Sequence, residues 1–164
     1  MLALRREQHR RTPIFATYAL LQAAARAQDI WDVERSEARH VLASSNLRAL
    51  IDALLADGDI DEAWSLATAG DGTPDGSQWK RLAEAREPTD PSGALDVYLR
   101  LADDALVVTG KGAYREAVRH LTAAHRAATA AGRLADLGTR ITDLRQQHRR
   151  RPTLIAMLDK AGLR

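Results

Sequence analysis

"LLADGDIDEAWSLA", residues 54–67, decides the fold. Leu47, Leu50, Ile51, Leu54 and Leu55 recur at helical spacing up to Asp57-Gly58-Asp59, and a second apolar-faced run starts at Ile60. Glycine takes the left-handed conformation that closes a helix without a Cβ penalty, and an aspartate behind it suits the first turn of the next helix. The stretch therefore predicts a helical hairpin, with Ser45 or Asn46 capping its first helix, Gly58 at the turn and Asp59 capping a helix from Ile60 to Ala69.

Working outward, the same punctuation divides the rest of the chain. Thr12-Pro13 reads as an N-cap followed by proline at the first helical position, opening a helix that carries Ile14, Phe15, Tyr18, Leu21 and Ala25 and ends near Gln28. Asp29 or Asp32 starts the next, with Trp31, Val33, Ala38, Val41 and Leu42 mostly inward. Beyond the loop "GDGTPDG" (70–76), a second hairpin has Trp79, Leu82 and Ala83 in its first helix, Asp90 and Pro91 as cap and first residue of its second, and Ala94, Leu95, Tyr98 and Leu101 along it. The longest helix covers about Ala113 to Ala131, Gly132 breaks it, and further helices run from about Leu134 to Gln147 and from Pro152 to Ala161.

One template recurs in three of these helices: Ala63-x3-Ala67-x2-Gly70, Ala94-x3-Tyr98-x2-Leu101 and Ala117-x3-Leu121-x2-Ala124. A small first residue lets neighbouring helices approach closely, as in tetratricopeptide-like arrays. The copies begin 31 and then 23 residues apart, so the repetition is irregular. The expected fold is all-α, an α-solenoid of irregular tetratricopeptide-like hairpins, with a compact helical bundle as the competing architecture. Residues 1–11 read as an N-terminal basic segment and 12–164 as a single helical-repeat domain. With 164 residues, 45% of them hydrophobic, the chain can bury a core, and its 4% aromatic content favours helices meeting through alanine and leucine.

Absences narrow the chemistry. Without cysteine, disulfides and thiolate zinc sites are excluded. No stretch approaches the roughly 20 apolar residues of a membrane span, and "MLALRREQHRR" lacks the apolar core of a signal peptide, which makes the cytoplasm the expected location. "GKG" (110–112) lacks the hydroxyl residue of a phosphate-binding loop. His120 and His125 stand five apart, not four, and His148 continues the stripe Leu134, Leu137, Ile141, Leu144 as a packed residue. Asp57, Asp59 and Asp61 have the alternation of a calcium loop without its glycine position or terminal glutamate, and with Glu62 read as helix caps and negative charge at a helix N-terminus. Asp71 and Asp75 flank the loop that follows. No catalytic constellation, cofactor site or metal site emerges.

Charge remains as the informative feature. Residues 1–51 hold 8 Arg/Lys against 5 Asp/Glu, residues 52–104 hold 4 against 13, and residues 105–164 hold 12 against 4, so an overall charge of +2 conceals stretches of +3, −9 and +8. "HRRTPIF" (9–15) and "HRRRPTLI" (148–155) share one plan of histidine, arginines and proline. Arg115, Arg119 and Arg126, at steps of four and seven, line one helix face, and Arg145, Arg149, Arg150 and Arg151 add a second cluster. Arginine's planar fork suits carboxylates and phosphates, so these seven are the candidate partner-binding residues. Helix capping and solvation are nonetheless the first reading of the "HRR" clusters, since Arg149 and Arg150 complement a helix C-terminus, whereas Arg151 would sit at an N-terminus, where positive charge is unfavourable. A protein is the expected partner, met through the concave face of the hairpins or through this C-terminal basic surface, which would suit an acidic protein surface. Nucleic acid is the alternative, disfavoured because no aromatic residue is interleaved to stack bases, and self-association through the acidic middle is a further possibility. A small-molecule enzyme stands third, since it would need a site that spacing does not reveal.

The stretches "LLADGDIDEAWSLA" (54–67), "WKRLAEAREPTDPSGALDVYLRLAD" (79–103), "YREAVRHL" (114–121) and "LRQQHRRRPTLIAMLDKAGL" (144–163) together resemble the C-terminal helical region of bacterial SWIM zinc-finger proteins. The final stretch, with its basic run and terminal helix, is the most specific part. The resemblance covers about residues 12–163 and implies an all-helical array that binds partners. The finger's Cys-x-Cys and Cys-x-His ligands have no counterpart here, so neither its zinc nor its recognition function carries over.

Overall fold

The computed structural model describes residues 1–70 and 73–164; Asp71 of the Gly70 to Gly76 loop lies outside the described residues. Among the described residues there are ten α-helices and no strands, which makes the chain all-α. They are α1 (Leu2–Arg11), α2 (Phe15–Arg26), α3 (Trp31–Ala43), α4 (Leu47–Asp57), α5 (Ile60–Thr68), α6 (Gly76–Arg86), α7 (Pro91–Leu106), α8 (Lys111–Ala131), α9 (Leu134–Gln147) and α10 (Pro152–Lys160). The chain divides into two compact units, residues 1–78 and 79–164.

In the first unit the basic segment 1–11 is helix α1, packed on α2 and α3. The decisive hairpin forms as its sequence requires. Asn46 caps α4 by accepting from the Ala49 amide at 3.1 Å, Gly58 turns the chain at φ 84°, and Ala63 and Ala67 of α5 are buried. Three readings are corrected. Helix α2 starts at Phe15, not Pro13, because Thr12 closes α1 with its amide on the Gln8 carbonyl, and the Thr17 oxygen meets the Ile14 amide at 3.4 Å. Val33 is 79% exposed: two residues from buried Trp31, it falls on the opposite side of α3 from the Trp31, Ala38, Leu42 face. Asp59 occupies the N-cap position of α5 but makes no capping bond, because its carboxylate takes Arg39 instead.

The last correction belongs to a network that takes Asp57 and Asp59 away from capping, while Asp61 and Glu62 stand in the first turn of α5 as negative charge at a helix N-terminus. The Asp57 carboxylate, 1% exposed, accepts from the Tyr18 hydroxyl at 2.5 Å, Gln22 Nε2 at 2.6 Å and Arg39 Nη2 at 2.6 Å. Arg39 reaches on to Asp59 and Glu62. Burial followed by the bond to Asp57 raises the Tyr18 pKa, and although burial opposes the Arg39 charge, its partners hold it protonated. Tyr18 also packs edge-on against Trp31, at 5.3 Å between centroids, so one side chain joins the apolar core to the polar clasp. Asp75 does behave as a cap, accepting from the Gln78 amide at 2.9 Å.

In the second unit α7 packs along α8, and α8 in turn against α9 and α10. Asp90 accepts from the Gly93 amide at 2.9 Å with Pro91 beginning α7, as its sequence predicts. Gly132 ends α8 in the left-handed conformation at φ 70°. The small residues of the repeat template, Ala94 and Ala117, are fully buried, as are Leu121 and Ala124. The Arg100 guanidinium lies 4.2 Å from the Trp79 ring centroid, tying α7 to α6. Leu134 departs from its expected stripe: at the first position of α9 it is 46% exposed, while Leu137, Ile141 and Leu144 are buried.

Candidate partner-binding surface

Helix α8 presents its arginines because its other face is committed. Tyr114, Ala117, His120, Leu121, Ala124, Ala127 and Ala128 are buried, leaving Arg115, Arg119 and Arg126 toward solvent. Arg115 and Arg119 make no ion pair among the described residues. Arg126 differs: its Nε and Nη2 donate to Glu87 at 2.6 and 2.7 Å, a bidentate fork, while Tyr98 donates its hydroxyl to the same carboxylate at 2.9 Å. Arg126 holds the Glu87 carboxyl below its ordinary range, and burial pushes the Tyr98 phenol above its own. This arginine ties the α6–α7 turn to α8.

The 145–151 cluster divides in the same way. Arg145 donates to Asp159 at 2.8 Å and to the Leu163 carbonyl at 3.1 Å, fastening α9 to the end of α10. Arg151 donates to the Leu106 carbonyl at 3.0 Å and sits 5.9 Å from the Tyr114 ring centroid, so it holds the α9–α10 turn against the end of α7. Arg149 and Arg150 are exposed and make no ion pair among the described residues. Of the seven candidates, Arg115, Arg119, Arg149 and Arg150 keep their charge for solvent, and Arg126, Arg145 and Arg151 are engaged within the fold. Arg149 also lines an open groove of about 640 Å³ with Arg145, Gln146, Ile155 and Arg164.

The second unit also contains a cavity of about 340 Å³, whose lining includes Lys80, Glu84, Glu116, Arg119 and His120. Lys80 pairs with Glu84 at 3.6 Å, and Glu116 lies 3.8 Å from His120 Nε2. Burial lowers the His120 pKa against the pull of Glu116, keeping the ring neutral at neutral pH. In the first unit a cavity of about 260 Å³ is bordered by Arg6, His9, Arg10, Glu34 and Glu37. There His9 Nε2 lies 2.9 Å from the Ala38 carbonyl, which only accepts, so Nε2 carries a proton, and Nδ1 lies 3.0 Å from the Thr17 hydroxyl oxygen. Among the described residues no group of three or more His, Asp or Glu side chains is placed to hold a metal ion.

No protein-family model, curated protein or solved structure matches this chain. Its own geometry therefore carries the functional reading. No helix among the described residues is long and apolar enough to cross a membrane. Two features escaped the sequence reading. The Tyr18, Gln22, Arg39 and Asp57 clasp joins residues up to 39 apart, and no local pattern marks it. Val107 and Val108, 81% and 60% exposed, were legible as an apolar pair ahead of "TGKG", but not as exposed.

Proposed function

We propose that the chain is a noncatalytic helical-repeat interaction module, an irregular array of tetratricopeptide-like hairpins in the cytoplasm, that binds an acidic protein partner through the basic surface of residues 79–164. The supporting observation is the exposure of Arg115, Arg119, Arg149 and Arg150 without an ion pair, in a unit where Arg126, Arg133, Arg140 and Arg145 all face carboxylates. An unpaired guanidinium on a helical scaffold is free to form charge-assisted bonds with an incoming carboxylate. Helical arrays bind through side chains spread over several elements and need no convergent acid and base. The resemblance to the helical region of SWIM zinc-finger proteins favours the same role.

Affinity capture from a cell extract, with the wild-type chain and an Arg115→Ala/Arg119→Ala/Arg149→Ala/Arg150→Ala variant, tests this. The expected result is an acidic protein retained at physiological salt by the wild type alone. Anisotropy titrations with short duplex DNA and single-stranded RNA complete the test. Nucleic-acid binding that persists at physiological salt and vanishes in the variant would transfer the surface to the alternative partner, because phosphate contacts weaken steeply as salt rises.

A further inference from the structure

One end of the second unit combines apolar exposure with unpaired positive charge. Helix α7 ends at Leu106, and the next two residues, Val107 and Val108, are 81% and 60% exposed. The Arg151 bond to the Leu106 carbonyl brings the α9–α10 turn to this place. Beside it lies a cavity of about 310 Å³, lined by Asp103, Leu106, Val107, Arg140, Gln147 and His148. Arg140 pairs with Asp103, neutralising that carboxylate. Arg149 and Arg150 follow His148 directly, and Lys111 opens α8 three residues after Val108; all three are exposed and without an ion pair among the described residues. Asp103 and Asp104 are both exposed at this end, and Asp104 makes no ion pair among the described residues.

We infer that this end of the unit, formed by the α7–α8 loop and the α9–α10 turn, docks an acidic segment of a partner protein. An apolar side chain of that segment packs on Val107 and Val108 at the mouth of the cavity, and its carboxylates meet Arg149, Arg150 and Lys111. The inference rests on the proposed acidic-partner reading and narrows it to one place and one chemistry. An apolar contact with a predominantly positive rim, Lys111, Arg149 and Arg150 against Asp104 and the Arg140-paired Asp103, has the anatomy of a specific interface: the apolar part supplies affinity on desolvation, and the charged rim selects and orients the partner. A concave mouth beside the valines suits an inserted side chain. A flat anionic bilayer would leave that cavity unfilled.

Selection from a displayed library of random short peptides on the full wild-type chain tests the inference. The enriched peptides are then titrated against Val107→Ser/Val108→Ser, Arg149→Ala/Arg150→Ala and Arg115→Ala/Arg119→Ala variants, each checked for an unchanged melting curve. Expected are peptides pairing Asp or Glu with a large apolar residue, whose affinity falls about tenfold with the valine variant and with the Arg149/Arg150 variant, and little with the Arg115/Arg119 variant. Peptides indifferent to the valines but lost with the Arg115/Arg119 variant would overturn this inference while leaving the acidic-partner reading standing. No enrichment on the wild type over the variants would overturn both. Valine-dependent sedimentation with mixed phosphatidylserine and phosphatidylcholine vesicles would assign the surface to lipid and overturn the inference as well.

Discussion

In "HRRTPIF" the histidine is 1% exposed, bonded at both ring nitrogens, and the arginines behind it face carboxylates: Arg10 approaches Glu37 at 3.9 Å and Arg11 pairs with Glu7 at 2.6 Å. In "HRRRPTLI" His148 is half-buried, Arg151 is spent on the Leu106 carbonyl, and Arg149 and Arg150 face solvent without an ion pair. The contrast extends to the two units. In residues 1–78, Arg6, Arg39 and Arg48 each meet a carboxylate, and Arg39 meets three, while Arg5, Arg26 and Arg35 meet none among the described residues. In residues 79–164, Lys111, Arg115, Arg119, Arg149, Arg150 and Lys160 meet none among the described residues. Two clusters written alike thus differ because acidic residues stand across from one and not the other. Arginine near a carboxylate becomes architecture; arginine without one stays available.

If the first unit is built on its charges, removing one should unfold it. Asp57→Ala leaves Tyr18, Gln22 and mostly buried Arg39 without their shared acceptor, and should cost about 3 kcal/mol in urea unfolding, the scale of a broken buried ion pair. A loss below about 0.5 kcal/mol would mean that the clasp is ornamental. The second unit should be governed by packing instead. Ala117→Leu, at a fully buried template position where α8 packs against its neighbours, should cost about 2 kcal/mol through overpacking, while the same change at exposed Ala130 should be nearly neutral.

The histidines sharpen the comparison through pH. Burial lowers the folded pKa of His120, and burial with Arg151 nearby lowers that of His148, so the unfolded chain binds their protons first. Stability should be full above the ordinary histidine value of 6.5 and decline as pH falls from there toward the depressed folded values. Glu34 and Glu87, held low first by Arg6 and Arg126, add a separate loss only below their ordinary 4.5. Melting temperatures between pH 7 and 5 should therefore fall for the wild type and fall less for His120→Gln. A smaller effect, about 0.5 kcal/mol, is expected for Arg126→Ala, whose side chain is 61% exposed. Smallest is Arg149→Ala/Arg150→Ala, within about 0.5 kcal/mol of zero in stability while peptide affinity falls about tenfold. A marked destabilisation there would return those arginines to the architecture.

The sequence by itself determined the helices from α2 to α10 and most of their ends, but not α1, which it marked only as a basic segment. Gly58, Asp90-Pro91 and Gly132 act through backbone conformation within a few residues, and the buried Ala94 and Ala117 follow from periodicity, which needs no knowledge of what lies opposite. Where local signals competed, the neighbour decided: Thr12-Pro13 could open a helix, but α1 had already claimed Thr12 as its end. The sequence also marked seven arginines as a group. Only the tertiary structure separated Arg126, Arg145 and Arg151 from Arg115, Arg119, Arg149 and Arg150, and only it placed Asp57 under Tyr18 and Arg39. The physical reason is reach. Backbone preferences and side-chain periodicity are written within a turn or two of chain, whereas the fate of a charge depends on which carboxylate, carbonyl or ring arrives within about 3 Å of it from tens of residues away.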